Sequence, residues 1–244
     1  MSIEVSIIIP FYNKIGLLKK ALSSINKQSY TNYEVIIVND NNIIKNLSYL
    51  KKIKDRKIKI IYNKKNLGAG LSRNKGIQNA RGDYIAFLDS DDTWYKDKLY
   101  YQLRFMKKNG YLASHTSYNL VNLNGKIFAK RKAKLMNHSS LMKSCDIGLS
   151  TVILKKDILN NKNNFPKLKT KEDYVLWLKL TKKGIVFYPL KKFYTNWANV
   201  PSSLSQSIIQ KIKDAFLVYH KYQNLNMINS LINTFILSIN YLRK

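Results

Sequence analysis

Three carboxylates lie close together in the segment Asp89-Ser90-Asp91-Asp92. They follow directly after YIAFL (84–88), an apolar run that is typical of a buried strand. Ligands of open α/β sheets bind beyond the carboxyl ends of the strands, and neighbouring carboxylates repel one another unless a cation compensates. Oxygen ligands favour Mg²⁺ or Mn²⁺, which usually joins one or two carboxylates to phosphate oxygens. The segment therefore predicts a divalent-cation site; the alternative is that Ser90 or Asp91 caps a helix beginning near Trp94.

A second acidic pair, Glu172-Asp173, opens the segment 172–182, in which apolar residues have the spacing of an amphipathic helix. A carboxylate on such a rigid element can act as a general base when it lies about 3 Å from a hydroxyl group. Acidic residues in a first turn also stabilise the helix dipole without any chemical role. The residues alone leave both interpretations open.

Polar and aromatic residues also follow the first two predicted strands. Pro10 cannot donate a ladder hydrogen bond and is predicted to end the first strand, just before Phe11 and Tyr12. Two aromatic rings at a strand end can stack on a nucleobase, with packing in the core as the alternative. Asp40 ends YEVIIVND (33–40), where its carboxylate can accept a hydrogen bond from a base or hold a loop.

The glycine-containing segment 66–74 follows the third predicted strand. Gly68 and Gly70 resemble part of the dinucleotide motif G-x-G-x-x-G, but Arg73 replaces the third glycine. The motif would also have to follow the first strand, so these residues argue against the dinucleotide-binding fingerprint. An arginine near a helix start suits a diphosphate or a nucleoside, with a surface salt bridge as the alternative.

The elements that would position these residues alternate between strand and helix in the first half. Apolar runs predict strands at 5–10, 33–40, 58–62 and 84–88, and helical spacing predicts helices at 17–25 and 70–80. Four strands with helical crossovers in about 90 residues imply an α/β fold with a Rossmann-like, mostly parallel sheet.

The second half has a different pattern. We predict a helix at 96–108, a strand at 113–121, a hairpin turn at Asn124-Gly125 into a strand at 126–129, and a strand at 148–154. A helix at 172–182 and short strands at 185–188 and 193–197 follow. A soft boundary near residue 110 divides the chain into regions 1–110 and 111–206, which we expect to share one core, with a helical tail at 207–244.

The composition limits the partners. Lys and Arg number 43 against 14 Asp and Glu, a net charge of +29 that favours polyanions or phosphorylated substrates. The lysines are spread along the whole chain, whereas nucleic-acid binders tend to cluster them. A nucleic-acid-binding alternative also leaves the acidic segment 89–92 unexplained, so we expect no nucleic-acid partner. Cys145 is the only cysteine, which excludes an intrachain disulfide and a multi-cysteine zinc site.

The ends of the chain bear on localisation. The first residues have no basic stretch before an apolar run, and no window reaches the ~18 apolar residues of a membrane span, so we expect a cytoplasmic or peripheral protein without a signal peptide. The tail combines apolar residues with Lys and Arg. It suits contact with an anionic membrane surface at the inner face of the cytoplasmic membrane; the alternatives are packing on the domain or on a second subunit in a homodimer.

These signals, in this order, resemble the inverting glycosyltransferases of family 2, which have the GT-A fold. The resemblance covers roughly residues 2–200. Its most specific pieces are SIIIPFYNK (6–14), YEVIIVND (33–40), NLGAGLSRNKGIQNARGDYIAFLDSDD (66–92) and EDYVLWLKL (172–180).

The resemblance implies a role for each motif. Region 1–110 would bind a nucleotide sugar, UDP-linked in the commonest case, and region 111–206 a glycan or lipid-linked glycan acceptor of bacterial surface polysaccharide or lipooligosaccharide synthesis. Asp173 would be the general base, assisted by Glu172, and Asp91 with Asp89 would hold Mn²⁺ or Mg²⁺. The implied donor-binding set is Pro10, Tyr12, Asn13, Asp40, Arg73, Asp89 and Ser90.

Two departures from the family pattern leave another alternative open. The second strand ends Asn39-Asp40-Asn41-Asn42, where the family has Asp-Asp-Gly-Ser, so the first acid and the glycine turn are missing. The segment 194–205, expected to act as a lid, has no His, whose role Asn199 or a serine would have to take. A protein of this fold that binds a sugar nucleotide with little catalysis is the alternative.

Overall fold

The computed structural model describes residues 2–41, 43–160, 164–200 and 207–242. Four parallel strands form its first half: β1 (Val5–Phe11), β2 (Tyr33–Asn39), β3 (Ile58–Tyr62) and β4 (Tyr84–Phe87), in the order β3-β2-β1-β4. The apolar runs of β1 and β2 are buried almost throughout because helices cover both faces of a parallel sheet. The parallel arrangement predicted for this half is confirmed.

Pro10 lies inside β1, so the predicted end of the strand at residue 10 is wrong by one residue. Successive residues of a strand direct their backbone groups to alternate sides. The Ile8 carbonyl accepts a hydrogen bond from the Leu88 N–H (3.1 Å), so Pro10 also faces the β4 side, where β4 has already ended. The missing N–H therefore costs no ladder bond. Phe11 still pairs with the β2 side, since its carbonyl accepts from the Asp40 N–H (2.7 Å).

Four helices belong to this half: α1 (Ile15–Asn26), α2 (Ile44–Lys51), α3 (Ala69–Gln78) and α4 (Lys98–Asn109). α1 buries its apolar face, which includes Leu18, Leu22 and Ile25. α3 packs directly on β1 at Gly76, where a Cβ atom would lie 2.5 Å from the Ile8 Cγ2. A residue larger than glycine would push α3 off the sheet, and with it the start of the helix at the strand ends.

The second half extends the same sheet with antiparallel neighbours. Its strands are β5 (Thr93–Trp94), β6 (Ala113–Val121), β7 (Ile127–Arg131), β8 (Ile153–Lys155) and β9 (Phe187–Ala198). β8 pairs antiparallel with β4 and β6, and β9 runs parallel to β6 and ends beside β5. The helices α5 (His138–Lys143) and α6 (Glu172–Lys182) complete this half, and the predicted bounds of β6 and α6 are confirmed.

Two predicted elements of this half differ from the structure. Residues 148–154 are a 3₁₀ turn, Leu149–Thr151, followed by the short β8, because the turn must carry the chain across the end of β4. The two short strands predicted at 185–188 and 193–197 are one continuous strand, β9. Its pairing with β6 shifts register at Thr116 and Ser117. The polar residues between the two predicted strands lie at these irregularities, so they do not interrupt β9.

The tail contains the two expected helical stretches, α7 (Ile208–Leu217) and α8 (Met227–Leu242), joined through a π-helical turn at Val218–Tyr222. One core cluster contains Ile8 of the first region, Trp177 of the second and Leu237 of the tail. The division at residues 110 and 206 stays a prediction, since these regions pack on each other. Among the described residues, the helices are too short or too polar for any of them to cross a bilayer.

Candidate active site

A cleft of about 580 Å³ lies at the carboxyl ends of β1, β2 and β4. Among the predicted site residues that it brings together, Pro10 and Asp173 are the furthest apart, at 163 positions. A second depression of about 440 Å³, between α1 and α2, contains none of the predicted site residues. All of those residues line the cleft: Pro10, Tyr12, Asn13, Asp40, Arg73, Asp89, Ser90, Asp91, Glu172 and Asp173.

Arg73 joins the two acidic motifs across the cleft. Its Nη2 donates to Asp89 Oδ1 and its Nη1 donates to Glu172 Oε1, each at 2.6 Å, and its side chain is only 4% exposed. Burial alone would lower the pKa of Arg73, but the two carboxylates raise it above its usual value, so the guanidinium stays charged. The alternative of a surface salt bridge is wrong: this is a buried fork between two carboxylates.

Gly70 makes this fork possible. The sequence patterns did not predict this role for Gly70. A Cβ atom at Gly70 would lie 2.9 Å from the Glu172 Cγ and 3.0 Å from the Pro166 carbonyl oxygen. The first turn of α3 therefore packs against the first turn of α6 at a distance that only glycine allows. Two helix starts, one from each half of the chain, meet at the cleft.

The segment 89–92 divides its carboxylates between two roles. Asp92 is buried: its Oδ2 accepts from Ser150 Oγ (2.6 Å) and its Oδ1 from the Ala198 N–H (2.9 Å). The Ser150 Oγ in turn accepts from the Asp89 N–H (3.0 Å), so Asp92 and Ser150 fix the backbone that carries Asp89 and Asp91. The capping alternative is wrong, because residues 93–94 form β5 and the next helix begins only at Lys98.

Asp91 and Asp173 also line the cleft, and Asp173 Oδ1 accepts from the Tyr174 N–H (2.7 Å). Burial and the nearby Asp89 together raise the pKa of Asp91 to about 6, against the lowering effect of Lys14 and Arg73. Burial and the neighbouring Glu172 likewise raise the pKa of Asp173 to about 6. Two carboxylates with raised pKa values in one cleft favour a cation or a proton there.

The predicted nucleoside-binding part of the cleft offers fewer reachable side chains than the sequence suggested. Phe11 is buried in the core, so Tyr12, which is 54% exposed, is the ring at this strand end that a base can reach. Asp40 accepts from Asn63 Nδ2 and the Leu67 N–H through Oδ1 and from the Gly68 N–H through Oδ2, each at 2.8 Å. These contacts hold the loop before α3, and direct contact between Asp40 and a base stays a prediction.

The predicted lid falls partly outside the described residues. Trp197, Ala198 and Val200 line the cleft, and the Asn199 N–H donates to the Val121 carbonyl oxygen (2.8 Å). The serines at 202, 203 and 205, which were to substitute for the missing His, lie outside the described residues. The lid stays a prediction.

The sequence patterns did not predict that Lys169, Thr170 and Lys171 form a wall of the cleft. Thr170 is held from the tail, since its N–H and Oγ1 both donate to Asp214 Oδ2 (2.9 and 2.8 Å). No local pattern could have shown this, because the partner lies 44 residues further along the chain. The tail therefore helps to shape the cleft.

Comparisons with known proteins identify the family of this chain. The family model of glycosyl transferase family 2 matches residues 6–162, more than half of the chain, and includes the segment 89–92. The chain belongs to glycosyltransferase family 2. The individual roles of the strand-end acids in this chain follow from its own contacts.

Relatives within the family include bacterial glycosyltransferases. The chain is 34% identical over 99% of its length to an uncharacterized glycosyltransferase of Rickettsia conorii, of which it spans only 38%. It is 31% identical to the putative teichuronic acid biosynthesis glycosyltransferase TuaG of Bacillus subtilis, over 93% of this chain and 91% of that protein. It is 37% identical to the UDP-Glc:α-D-GlcNAc-diphosphoundecaprenol β-1,3-glucosyltransferase WfgD of Escherichia coli, over 73% and 70%.

Solved structures establish the fold. S. aureus TarS in complex with UDP-GlcNAc matches with a TM-score of 0.74 at 20% identity, over 93% of this chain and 69% of that one. The mannosyltransferase PcManGT of Pyrobaculum calidifontis, in complex with GDP-Man and Mn²⁺, matches with a TM-score of 0.70 at 14% identity, over 96% and 72%. The expected GT-A fold, with helices following it at the C-terminal side, is confirmed.

Proposed function

We propose that the chain transfers a sugar from a nucleotide diphosphate sugar, UDP-linked, to a hydroxyl group of a bacterial surface glycan. The observation that carries this proposal is the Arg73 fork, which ties Asp89 and Glu172 into one cleft at 2.6 Å each. A transferase needs a donor-binding group and a base on either side of one reacting centre. Asp91 and Asp173, which neighbour the two tied carboxylates, supply such a pair.

Asp173 is the general base of the proposed reaction. It takes the proton of the acceptor hydroxyl as that oxygen forms a bond to the anomeric carbon, while the bond from this carbon to the diphosphate breaks on the opposite face. The configuration at the carbon is therefore inverted. A pKa of about 6 suits this role, because the carboxylate is ionised at neutral pH yet more basic than an ordinary Asp.

Asp91, with Asp89 beside it, is the proposed holder of Mn²⁺ or Mg²⁺. A bound divalent cation would neutralise charge on the diphosphate leaving group. The donor set fits: hard carboxylate oxygens are present, and the pKa of Asp91 is raised by burial and by Asp89, an unfavourable charge that a cation relieves. The described residues contain no cluster of three or more His, Cys, Asp or Glu, so substrate oxygens would have to complete the coordination.

The donor and acceptor classes come from the relatives. TarS binds UDP-GlcNAc, and WfgD is named for transfer from UDP-Glc to a diphosphoundecaprenol-linked sugar. TuaG is named for teichuronic acid synthesis. We extend a UDP-sugar donor and a glycan or lipid-linked glycan acceptor to this chain as part of the proposal.

A binding protein with little catalysis is the second candidate, and one observation favours it. Asn39 stands where the family has an acid; it is buried, and its Nδ2 donates to the Asn41 carbonyl oxygen (2.6 Å), so it serves the loop. This candidate shares the donor site with the first but transfers nothing.

A thermal-shift screen of nucleotide sugars, with and without Mn²⁺, tests the donor site, because a ligand that binds only the folded chain raises the unfolding midpoint. Donor hydrolysis or transfer measured with the stabilising sugar then separates the two candidates. Stabilisation without any turnover would favour the binding protein, and no stabilisation by any nucleotide sugar would contradict both.

A further inference from the structure

The last helix of the tail buries its small polar residues and exposes its large apolar ones. α8 has no charged residue in its 16 positions, and its buried residues are Ser230, Thr234 and Leu237. The hydroxyls of Ser230 and Thr234 donate to carbonyls one turn back, so they need no partner beyond the helix. Six large side chains are between 50% and 70% exposed: Met227, Ile228, Leu231, Ile232, Phe235 and Tyr241.

α7 presents a similar outer face. Ile208, Ile209 and Ile212 are between 50% and 82% exposed, while Asp214 and Ala215 are buried. The Lys211 ammonium lies 5.5 Å from the centre of the Tyr241 ring, so the start of α7 lies beside the end of α8 and the two helices form an antiparallel hairpin. Exposed apolar surface of this kind marks a contact with another apolar phase or partner.

The charges of the tail indicate which kind of partner binds the outer face of the α7–α8 hairpin. Asp214 is the only acidic residue between 207 and 242, and it is turned inward onto Thr170 and Gln210. Lys213 and Lys221 are exposed. A second copy of this chain carries the same net charge of +29 and would be repelled, whereas an anionic surface is complementary. We propose that the outer face of the α7–α8 hairpin docks on an anionic lipid surface.

The inner face of the hairpin ties this docking to the cleft. Asp214 holds Thr170 in the cleft wall, three residues before Asp173. The Tyr219 hydroxyl lies 2.9 Å from that of Tyr174, the residue after Asp173. A docked hairpin therefore sets the proposed base at a fixed position relative to the lipid surface. This positional consequence rests on the proposed function, but the docking itself does not.

Sedimentation with lipid vesicles tests the proposal on the full chain. The vesicles contain phosphatidylcholine alone or phosphatidylcholine mixed with phosphatidylglycerol. We expect binding to the mixed vesicles, weakened by salt, and a loss of about tenfold or more in partitioning for Leu231→Gln/Phe235→Gln. The matched control Phe128→Gln/Leu135→Gln removes two comparably exposed apolar residues from the second half and should bind as the wild type does.

Each contrary result overturns the proposal in a different way. Equal losses in both double variants would assign binding to general hydrophobicity, and equal binding to both kinds of vesicle would remove the anionic preference. If the wild type stays in the supernatant and runs as a dimer that Leu231→Gln/Phe235→Gln converts to a monomer, the occupant is a second copy. Unfolding midpoints within about 2 °C of wild type establish that both variants fold. The assay uses no donor or acceptor, so its failure is distinct from failure of the proposed transfer.

Discussion

The two ends of the parallel sheet hold buried carboxylates in opposite ways. At the amino end, Glu34 is buried at the start of β2 and accepts from Ser6 Oγ (2.7 Å), the Arg81 N–H (2.7 Å) and Arg81 Nε (2.9 Å). Burial alone would raise its pKa, but these hydrogen bonds and the Arg81 charge lower it below the usual value. The ionised form of Glu34 is therefore stabilised by the fold.

At the carboxyl end, one buried guanidinium is shared between two carboxylates. Arg73 serves both Asp89 and Glu172, while the pKa values of Asp91 and Asp173 are raised to about 6. The ionised forms of Asp91 and Asp173 are therefore disfavoured by the fold. The comparison indicates that Glu34 contributes to stability, whereas the cleft holds two carboxylates whose charge a ligand would stabilise.

Asp173→Asn should have the largest effect on activity. General base catalysis typically contributes about 10²–10⁴-fold, so we expect transfer to fall by that factor. The donor should still raise the unfolding midpoint, because the base faces the acceptor. Product formation and thermal shift measure the two effects. Asp157→Asn, at an exposed position outside the cleft, is the control and should transfer at the wild-type rate. Wild-type turnover by Asp173→Asn would remove Asp173 from the mechanism.

Arg73→Met should have the largest effect on stability. Removing one partner of a buried ion pair costs about 3–5 kcal/mol, and here two carboxylates lose their shared partner. Arg81→Met is the matched change at the other end of the sheet. Its side chain is 70% exposed, and Glu34 keeps the hydrogen bonds of Ser6 and the Arg81 N–H, so a loss of about 1 kcal/mol or less is expected. Urea unfolding of both variants measures the difference; equal losses would mean that the two ends are equivalent.

Glu34→Gln should lower the free energy of unfolding by about 2 kcal/mol at neutral pH, since hydrogen bonds to a charged group contribute about 1.5–3 kcal/mol. Transfer per folded molecule should not change, because Glu34 lies at the end of the sheet away from the cleft. A variant with unaltered stability would show that the Ser6 and Arg81 contacts contribute nothing net.

Much of the site could be predicted because its motifs are local. Each strand of the first half is an apolar run followed at once by its polar residues, so the topology of a parallel sheet places Tyr12, Asp40 and Asp89 at one edge without further information. α6 has the predicted bounds because its apolar spacing is regular.

The contacts between motifs could not be predicted, since they join distant positions. Arg73 and Glu172 are 99 residues apart, and the close packing at Gly70 becomes visible only when α3 meets α6. Asp92 was indistinguishable in sequence from Asp91, although one is bonded to Ser150 and the other faces the cleft. In the tail, helical spacing located the helices but did not show that α8 faces its apolar side outward.

The smallest predicted effect is a difference in stability from the wild type at neutral pH. It is a gain for Asp173→Asn and a loss for Glu34→Gln, which lie at opposite ends of the sheet. The pKa of Asp173 is raised by folding, so its contribution to stability is full below the unfolded value near 3.8 and is lost as the pH rises through about 6. The stability of Asp173→Asn should thus match that of the wild type at pH ~4 and exceed it above pH ~6, by about 2–4 °C in unfolding midpoint if the difference is on the order of 1 kcal/mol.

The pKa of Glu34 is lowered, so Glu34→Gln should be less stable than the wild type at neutral pH and converge with it as the pH falls below the folded pKa. Thermal unfolding of both variants across this range measures the two curves. If both variants lose stability at neutral pH, the carboxylates of the cleft are compensated as fully as Glu34 is, and the contrast between the two ends fails.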